Sequence, residues 1–178
     1  MRIESKDAEF DALLALAKSL CVAARTAPKA CGVDNTDTLI LTEEEKAELA
    51  AMQRTIGEEL GDRGKFFLRD ADNVDAAQVI VLFGIAKKTR GLNNLCGLCG
   101  FENCSTSEQA GATCLYAGLD LGIALGSAAL RAANECADNR IFFTAGMAAR
   151  KLGLLKGSDI IMGLPLYSGG KNILFDRS

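Results

Sequence analysis

Two runs, QVIVLFGIA at 78–86 and DIIMGLPL at 159–166, constrain the fold more than anything else in the chain. A strand with one face in water alternates apolar and polar residues, whereas a strand covered on both faces stays apolar throughout. Both runs are of the second kind and are far too short to cross a bilayer. Each therefore reads as a strand buried in the interior, and something must cover both of its faces. Amphipathic helices are what the remaining sequence offers, so the expected fold is α/β (or α+β): a three-layer sandwich of helices around a small central sheet. A chain of 178 residues, 49% hydrophobic and 24% charged, is long enough for one sizeable core. With two prolines, no charge block and no low-complexity tract, nothing marks a linker, and one domain over 1–178 is expected.

Phe10, Leu13, Leu14, Ala17, Leu20, Cys21 and Ala24 recur at helical spacing and predict a helix over 6–24 that stops before Pro28. TLILT at 38–42 reads as a short strand. Thr42 with Glu45 makes a capping-box pattern for a helix carrying Leu49, Met52, Ile56 and Leu60 on one face, with Gly61 past its end. A polar stretch then leads to the 78–86 strand. Residues 115–135 predict a long helix, and 140–152 a further one stopped by Gly153.

Charge and residue usage exclude several chemistries. A net charge of -3 lacks the basic stripe of a nucleic-acid binder. The opening MRIESKDAEF carries charges and no apolar signal core, so a cytoplasmic protein away from membranes is expected. With no histidine in the chain, a Cys-His dyad, a His general base and a His-containing zinc site are all impossible. Lys171 follows two glycines but is followed by Asn172, so the P-loop pattern fails, and no G-x-G-x-x-G follows either buried strand.

Seven cysteines remain, four of them as C-x2-C-x4-C-x9-C at Cys96, Cys99, Cys104 and Cys114. In a reducing compartment clustered thiols point to metal or redox chemistry rather than to disulfides. Gly97 and Gly100 permit the positive φ angles that turn successive thiolates toward one point. A cubane iron–sulfur cluster takes such a set, typically several cysteines from one tight loop and one from further away. Zinc held by four thiolates is the rival, though its common ribbons carry two C-x2-C knuckles where this segment has one; thiols that merely pack are the third reading. Leu95, Leu98 and Phe101 offer a partly apolar shell. Cys21 reads as core, Cys136 as structural, and Cys31 near Lys29 as a loop thiol.

Gly118, Gly122 and Gly126 line one face of the long predicted helix. Each costs roughly 1 kcal/mol relative to alanine, so the face is expected to meet something closely, either a second helix in a tight crossing, within the chain or at a homodimer interface, or a flat cofactor. Arg25 and Lys29 flank Pro28, and together with Lys171 they could gather around a phosphate.

The run CGLCGFENC with Cys114 and GLDLGIALGSAA, together with ARTAPKACGVDN (24–35) and GLPLYSGGKNILFDR (163–177), resembles a prokaryotic ferredoxin-domain-containing family that has no assigned activity. The cysteine segment is also similar to iron–sulfur modules of corrinoid proteins and electron-transport complexes, which place the last cysteine further away. The family resemblance implies a [4Fe-4S] cluster on Cys96, Cys99, Cys104 and Cys114 within a segment spanning 95–114. It implies a redox or electron-transfer role with a redox partner protein. A second resemblance, in the order of elements, is to nitroreductase-like flavoproteins. It implies FMN, with its phosphate held by Arg25, Lys171 or Arg177, and hence a flavin oxidoreductase as the alternative function. A zinc-stapled structural domain is the other alternative. No catalytic residue is assigned.

Overall fold

The two buried runs are the centre of the structure. In the computed structural model, which describes residues 1–176, β2 (Val79–Ile85) is buried along its whole length. It lies between β1 (Thr36–Leu41) and β4 (Ile160–Tyr167), and the two-residue β3 (Asp138–Asn139) completes the order β1-β2-β4-β3. Every pairing is antiparallel, with Thr36 opposite Ile85 and Ile85 opposite Ile160 at one end of the sheet. Val79 opposite Leu166 marks the other end.

Alternation along β2 divides the core in two. Val79, Val81, Phe83 and Ile85, with Leu164 and Leu166, pack under α1 (Ser5–Thr26) and α5 (Leu115–Asn134), which supply Leu13, Leu20, Leu121 and Leu125. Ile80, Leu82 and Ile161 face the opposite layer of α2 (Glu43–Leu60), α3 (Lys65–Ala76) and α6 (Phe143–Lys151). At about 1.5–3 kcal/mol for each fully buried aliphatic side chain, these two layers are the main favourable term in folding. The expected three-layer sandwich is therefore present. Among the described residues no helix is long and apolar enough to cross a membrane.

The differences from the sequence reading have physical causes. The polar stretch after Gly61 contains α3, whose buried face includes Asp70 and Asn73 beside Phe67, Ala71 and Val74. The Thr144 hydroxyl donates to Asp70 (2.9 Å) and accepts from Gln53 Nε2 (3.0 Å), so a polar network takes the place of an apolar stripe there. Lys46 Nζ donates to the carbonyls of Val74 (2.9 Å) and Asp75 (2.8 Å), capping α3. Burial pushes the Lys46 ammonium pKa down, against the opposing pull of Asp75. Thr42 is the N-cap residue of α2, yet its side chain makes no capping bond, so the capping box is not formed. The helix expected from residue 140 starts at Phe143, because Phe142 bridges to Gly163 of β4.

The connection between α1 and β1 is held by charge. Ala27 is extended (φ -56°, ψ 139°), as the residue before Pro28 must be. Lys29 Nζ then donates to the carbonyls of Ala24, Arg25 and Ala27 at 2.7–3.0 Å, satisfying the end of α1. Asp34 accepts from Arg25 Nη1 (2.6 Å) and from the Thr36 amide (3.0 Å) and hydroxyl (2.6 Å). Desolvation raises the Asp34 pKa, but the hydrogen bonds from Arg25 and Thr36 and the charge of Lys29 outweigh it and hold it down at about 2.

Two expected outcomes follow. A Cβ on Gly146 would stand 1.7 Å from the Ile161 carbonyl oxygen, so α6 rides on β4 with no room for a methyl group. Gly146→Ala should cost about 2 kcal/mol and lower the Tm by ~4–8 °C in calorimetry; an unchanged Tm would contradict that close approach. Because the folded pKa of Asp34 is depressed from 3.8, its contribution is complete above the unfolded value and is lost as pH falls toward about 2. Asp34→Asn should therefore be less stable by on the order of 1 kcal/mol at neutral pH, a figure discounted for the exposed Arg25. Urea midpoints of the two proteins should converge as pH drops through that window.

Candidate functional site

The chain leaves β2 at Ile85 and does not enter α5 until Leu115. What lies between folds back on its own base. The Cys114 amide donates to the Lys87 carbonyl (3.3 Å), and the Lys87 amide donates to Asp159 Oδ2 (2.9 Å). Lys87 Nζ reaches the Gly111 carbonyl at 2.8 Å, and the Thr89 hydroxyl donates to Glu108 Oε1 at 2.5 Å. The segment is thus a closed excursion at the Ile85 end of the sheet.

All four cysteines of the spaced set sit on it. Cys96, Cys99 and Cys104 are half-buried and Cys114 is buried. Gly97 (φ 56°) and Gly100 (φ 82°) adopt the left-handed backbone that their place in the pattern predicts. The Gly100 amide donates to the Gly97 carbonyl at 3.0 Å, making the tight turn that carries Cys99. Cys104 begins α4 (Cys104–Gln109), with Asn103 as N-cap accepting from the Thr106 amide. The Asn93 amide donates to Cys104 Sγ at 3.2 Å. The Cys99 thiol pKa is drawn down by the Phe101 amide and then by the Ser107 hydroxyl. Ser107 is fully buried, and among the described residues its hydroxyl has no hydrogen-bond partner at full geometry.

The donor set thus fits a group held by thiolates. Its sulfurs do not yet converge: among the described residues no three Cys, Asp or Glu side chains are gathered as ligands of one ion. The shell expected from Leu95 and Leu98 is not closed either. Leu95 is 85% and Leu98 54% exposed, because the turn that carries them projects outward, and only Phe101 is partly covered.

Arg25 and Lys29 meet at Asp34, but Lys171 does not join them. Arg25 lies at the Ile85 end through its bonds to Asp34 and the Thr36 carbonyl. Lys171 follows Tyr167 beyond the other end of β4 and pairs with Asp176 (2.8 Å). The length of a seven-residue strand, about 20 Å, separates those ends. Arg177 lies outside the described residues. Lys29 caps α1, with its side chain only 5% exposed. Cys21 is half-buried against the α1 core, whereas Cys31 and Cys136 are exposed.

Two features of this end were not read from the sequence. A cavity of about 220 Å³ lies between the α1–β1 connection and α5, lined by Pro28, Ala30, Tyr116, Leu119 and Ile123 with Asp120. A larger groove of about 300 Å³ runs along Leu13, Leu16 and Arg131, away from the thiols. Beneath the first cavity Arg90 and Asp120 form an ion pair whose side chains are 1% and 2% exposed. Asp120 is the sole charge in LYAGLDLGIALGSAAL, a lone acid on an apolar helix, and that was the available signal. The glycine stripe faces outward: nothing stands within 4 Å of where a Cβ would be on Gly118, Gly122 or Gly126. Leu115, Leu119 and Ile123 are 44–47% exposed on the same helix.

Comparison with known proteins agrees with this architecture. Residues 110–177 match the family described as "Uncharacterized protein containing a ferredoxin domain (DUF2148)". An uncharacterized protein of Archaeoglobus fulgidus is 38% identical over 187 aligned residues, which cover 100% of this chain and 98% of that protein. Among solved structures, a nitroreductase with bound FMN from Desulfitobacterium hafniense superposes with a TM-score of 0.59 at 16% identity, covering 96% of this chain and 81% of that one. The NADPH:FMN oxidoreductase of Vibrio harveyi, complexed with NAD+, gives 0.56 at 16% identity over 97% of this chain. The chain spans 63% of the length of that oxidoreductase. At such identities the likeness is one of fold. The chain therefore belongs to one family with the Archaeoglobus fulgidus protein, its residues 110–177 match the ferredoxin-domain family model, and it has a nitroreductase-like fold.

Proposed function

We propose that the protein is a cytoplasmic electron-transfer protein that carries one [4Fe-4S] cluster on Cys96, Cys99, Cys104 and Cys114 and exchanges electrons with a partner protein. The observation that supports this reading is the closed excursion from β2 to α5, which carries all four cysteines of the spaced set and directs the Asn93 amide at Cys104. Such a cluster supplies one-electron chemistry, and four thiolates leave its irons no open position for a substrate. The chain's own part is to gather and solvate the thiolates. Gly97 and Gly100 supply the left-handed backbone of the turn that carries Cys99, and the Asn93 amide donates to Cys104. Leu95 and Leu98, already in solvent, form an uncharged lip on which a redox partner would dock.

A second reading, an FMN-dependent oxidoreductase that also carries the cluster, draws on the fold neighbours and on the cavity beside Ile123. Arg25 stands at the same end of the sheet as that cavity. Lys171 does not, so within one subunit the two would not share a phosphate. We also propose a homodimer through α5. The glycine stripe and the neighbouring ridge of Leu115, Leu119 and Ile123 follow the same four-residue repeat, so a two-fold copy could set ridge into groove.

Iron, acid-labile sulfide, zinc and the visible spectrum of anaerobically purified protein test the first reading. About four irons and four sulfides per chain are expected. Cys99→Ser should lose them, while Cys136→Ser should keep them. Zinc without sulfide would make the segment a structural clasp, and a flavin envelope would favour the second reading. For the dimer, Ile123→Glu should shift sedimentation from dimer to monomer; a wild-type monomer would end that proposal.

A further inference from the structure

The Arg90–Asp120 pair is placed where it can do more than stabilise the fold. Arg90 Nε (3.0 Å) and Nη2 (2.8 Å) both donate to Asp120 Oδ2, while Nη1 donates to the Lys88 carbonyl at 2.7 Å. The remaining oxygen, Asp120 Oδ1, accepts from the Ala30 amide at 2.9 Å. Each side-chain nitrogen of Arg90 and each oxygen of Asp120 therefore has a hydrogen-bond partner although the pair is almost completely buried. A buried ion pair is nonetheless a poor stabiliser, since desolvating both charges offsets their attraction and apolar replacements of similar volume are often neutral. Its position is more telling. Arg90 stands six residues before Cys96, and Asp120 six residues after Cys114, so the pair closes a ring that contains all four thiols. The other side-chain ties across this ring, Thr89 to Glu108 and Lys87 to Gly111, are exposed to solvent. The same carboxylate holds Ala30, in the wall of the cavity.

We infer that Arg90 and Asp120 are positioning residues for the thiolate set: the two guanidinium N–H groups closed on one carboxylate oxygen fix the arm carrying Cys96 and Cys99 against the helix whose N-cap is Cys114. The inference rests on the four-cysteine reading above. A guanidinium suits the task because its planar fork fixes orientation as well as distance, which a lysine ammonium does not.

Cadmium titration of the full-length apoprotein, followed at the thiolate-to-metal charge-transfer band, gives a readout independent of electron-transfer activity. The wild type should bind one cadmium through four thiolates. Arg90→Met should keep the wild-type far-UV spectrum but bind cadmium on the order of 10- to 100-fold more weakly, as loss of an orienting partner does at metal sites. Arg90→Lys should restore only part of the affinity. Should Arg90→Met fail to fold because it strands the carboxylate, Arg90→Met/Asp120→Leu removes both charges and should show the same weakening. Wild-type cadmium affinity in a folded variant would overturn the positioning role while leaving the four-cysteine reading intact. Absence of a thiolate band in the wild type would overturn that reading, and the inference with it.

Discussion

β2 has no face left for water, and most of the architecture follows from that. With α1 and α5 pressed on one side and α2, α3 and α6 on the other, both broad surfaces of the sheet are closed. Chemistry can then be placed only where strands end and loops begin. The thiols, the cavity and the buried ion pair all collect at the end marked by Thr36, Ile85 and Ile160, where three connections emerge side by side. That end is rigid because its loops are tied into the sheet margin: Ala86 to Asn35, Lys87 to Asp159, and Arg25 to the Thr36 carbonyl.

The two layers of helices are built differently. The α1/α5 layer is aliphatic, with leucine and alanine against valine and phenylalanine. The other layer mixes an apolar core with Asp70, Thr144, Gln53 and Lys46, and among the described residues Gln53 Oε1 has no partner. Buried polar networks specify one arrangement more sharply than an aliphatic interface does, at a cost wherever a group stays unsatisfied. The layer that carries Cys114 is the one without such a network, apart from the single pair of Arg90 and Asp120.

Legibility followed the same division. β2, β4, α1 and α5 could be read because their buried residues are apolar and keep a regular period. α3 could not, since Asp70 and Asn73 on its inner face broke the pattern. β3 is two residues long and has no period at all. The cysteines were legible as a group because their spacing is local, whereas Arg90 and Asp120 are thirty residues apart and meet only through the fold. The place of Lys29 was not legible for a related reason: nothing in the sequence shows that its side chain folds back on the carbonyls of Ala24, Arg25 and Ala27.

Because the Lys87 carbonyl and the Cys114 amide touch, the chain enters and leaves the cysteine segment at a single point. No residue from 86 to 113 belongs to either hydrophobic core. Apart from the buried Arg90–Asp120 pair, the sheet and its helices therefore take none of their apolar packing from the excursion. Loop closure grows only slowly more costly with length, so segments of other sizes could occupy the same base without disturbing the strands. The thiol-bearing segment is thus attached at two places, the Lys87–Cys114 base and the Arg90–Asp120 pair, and the apolar core lies outside it.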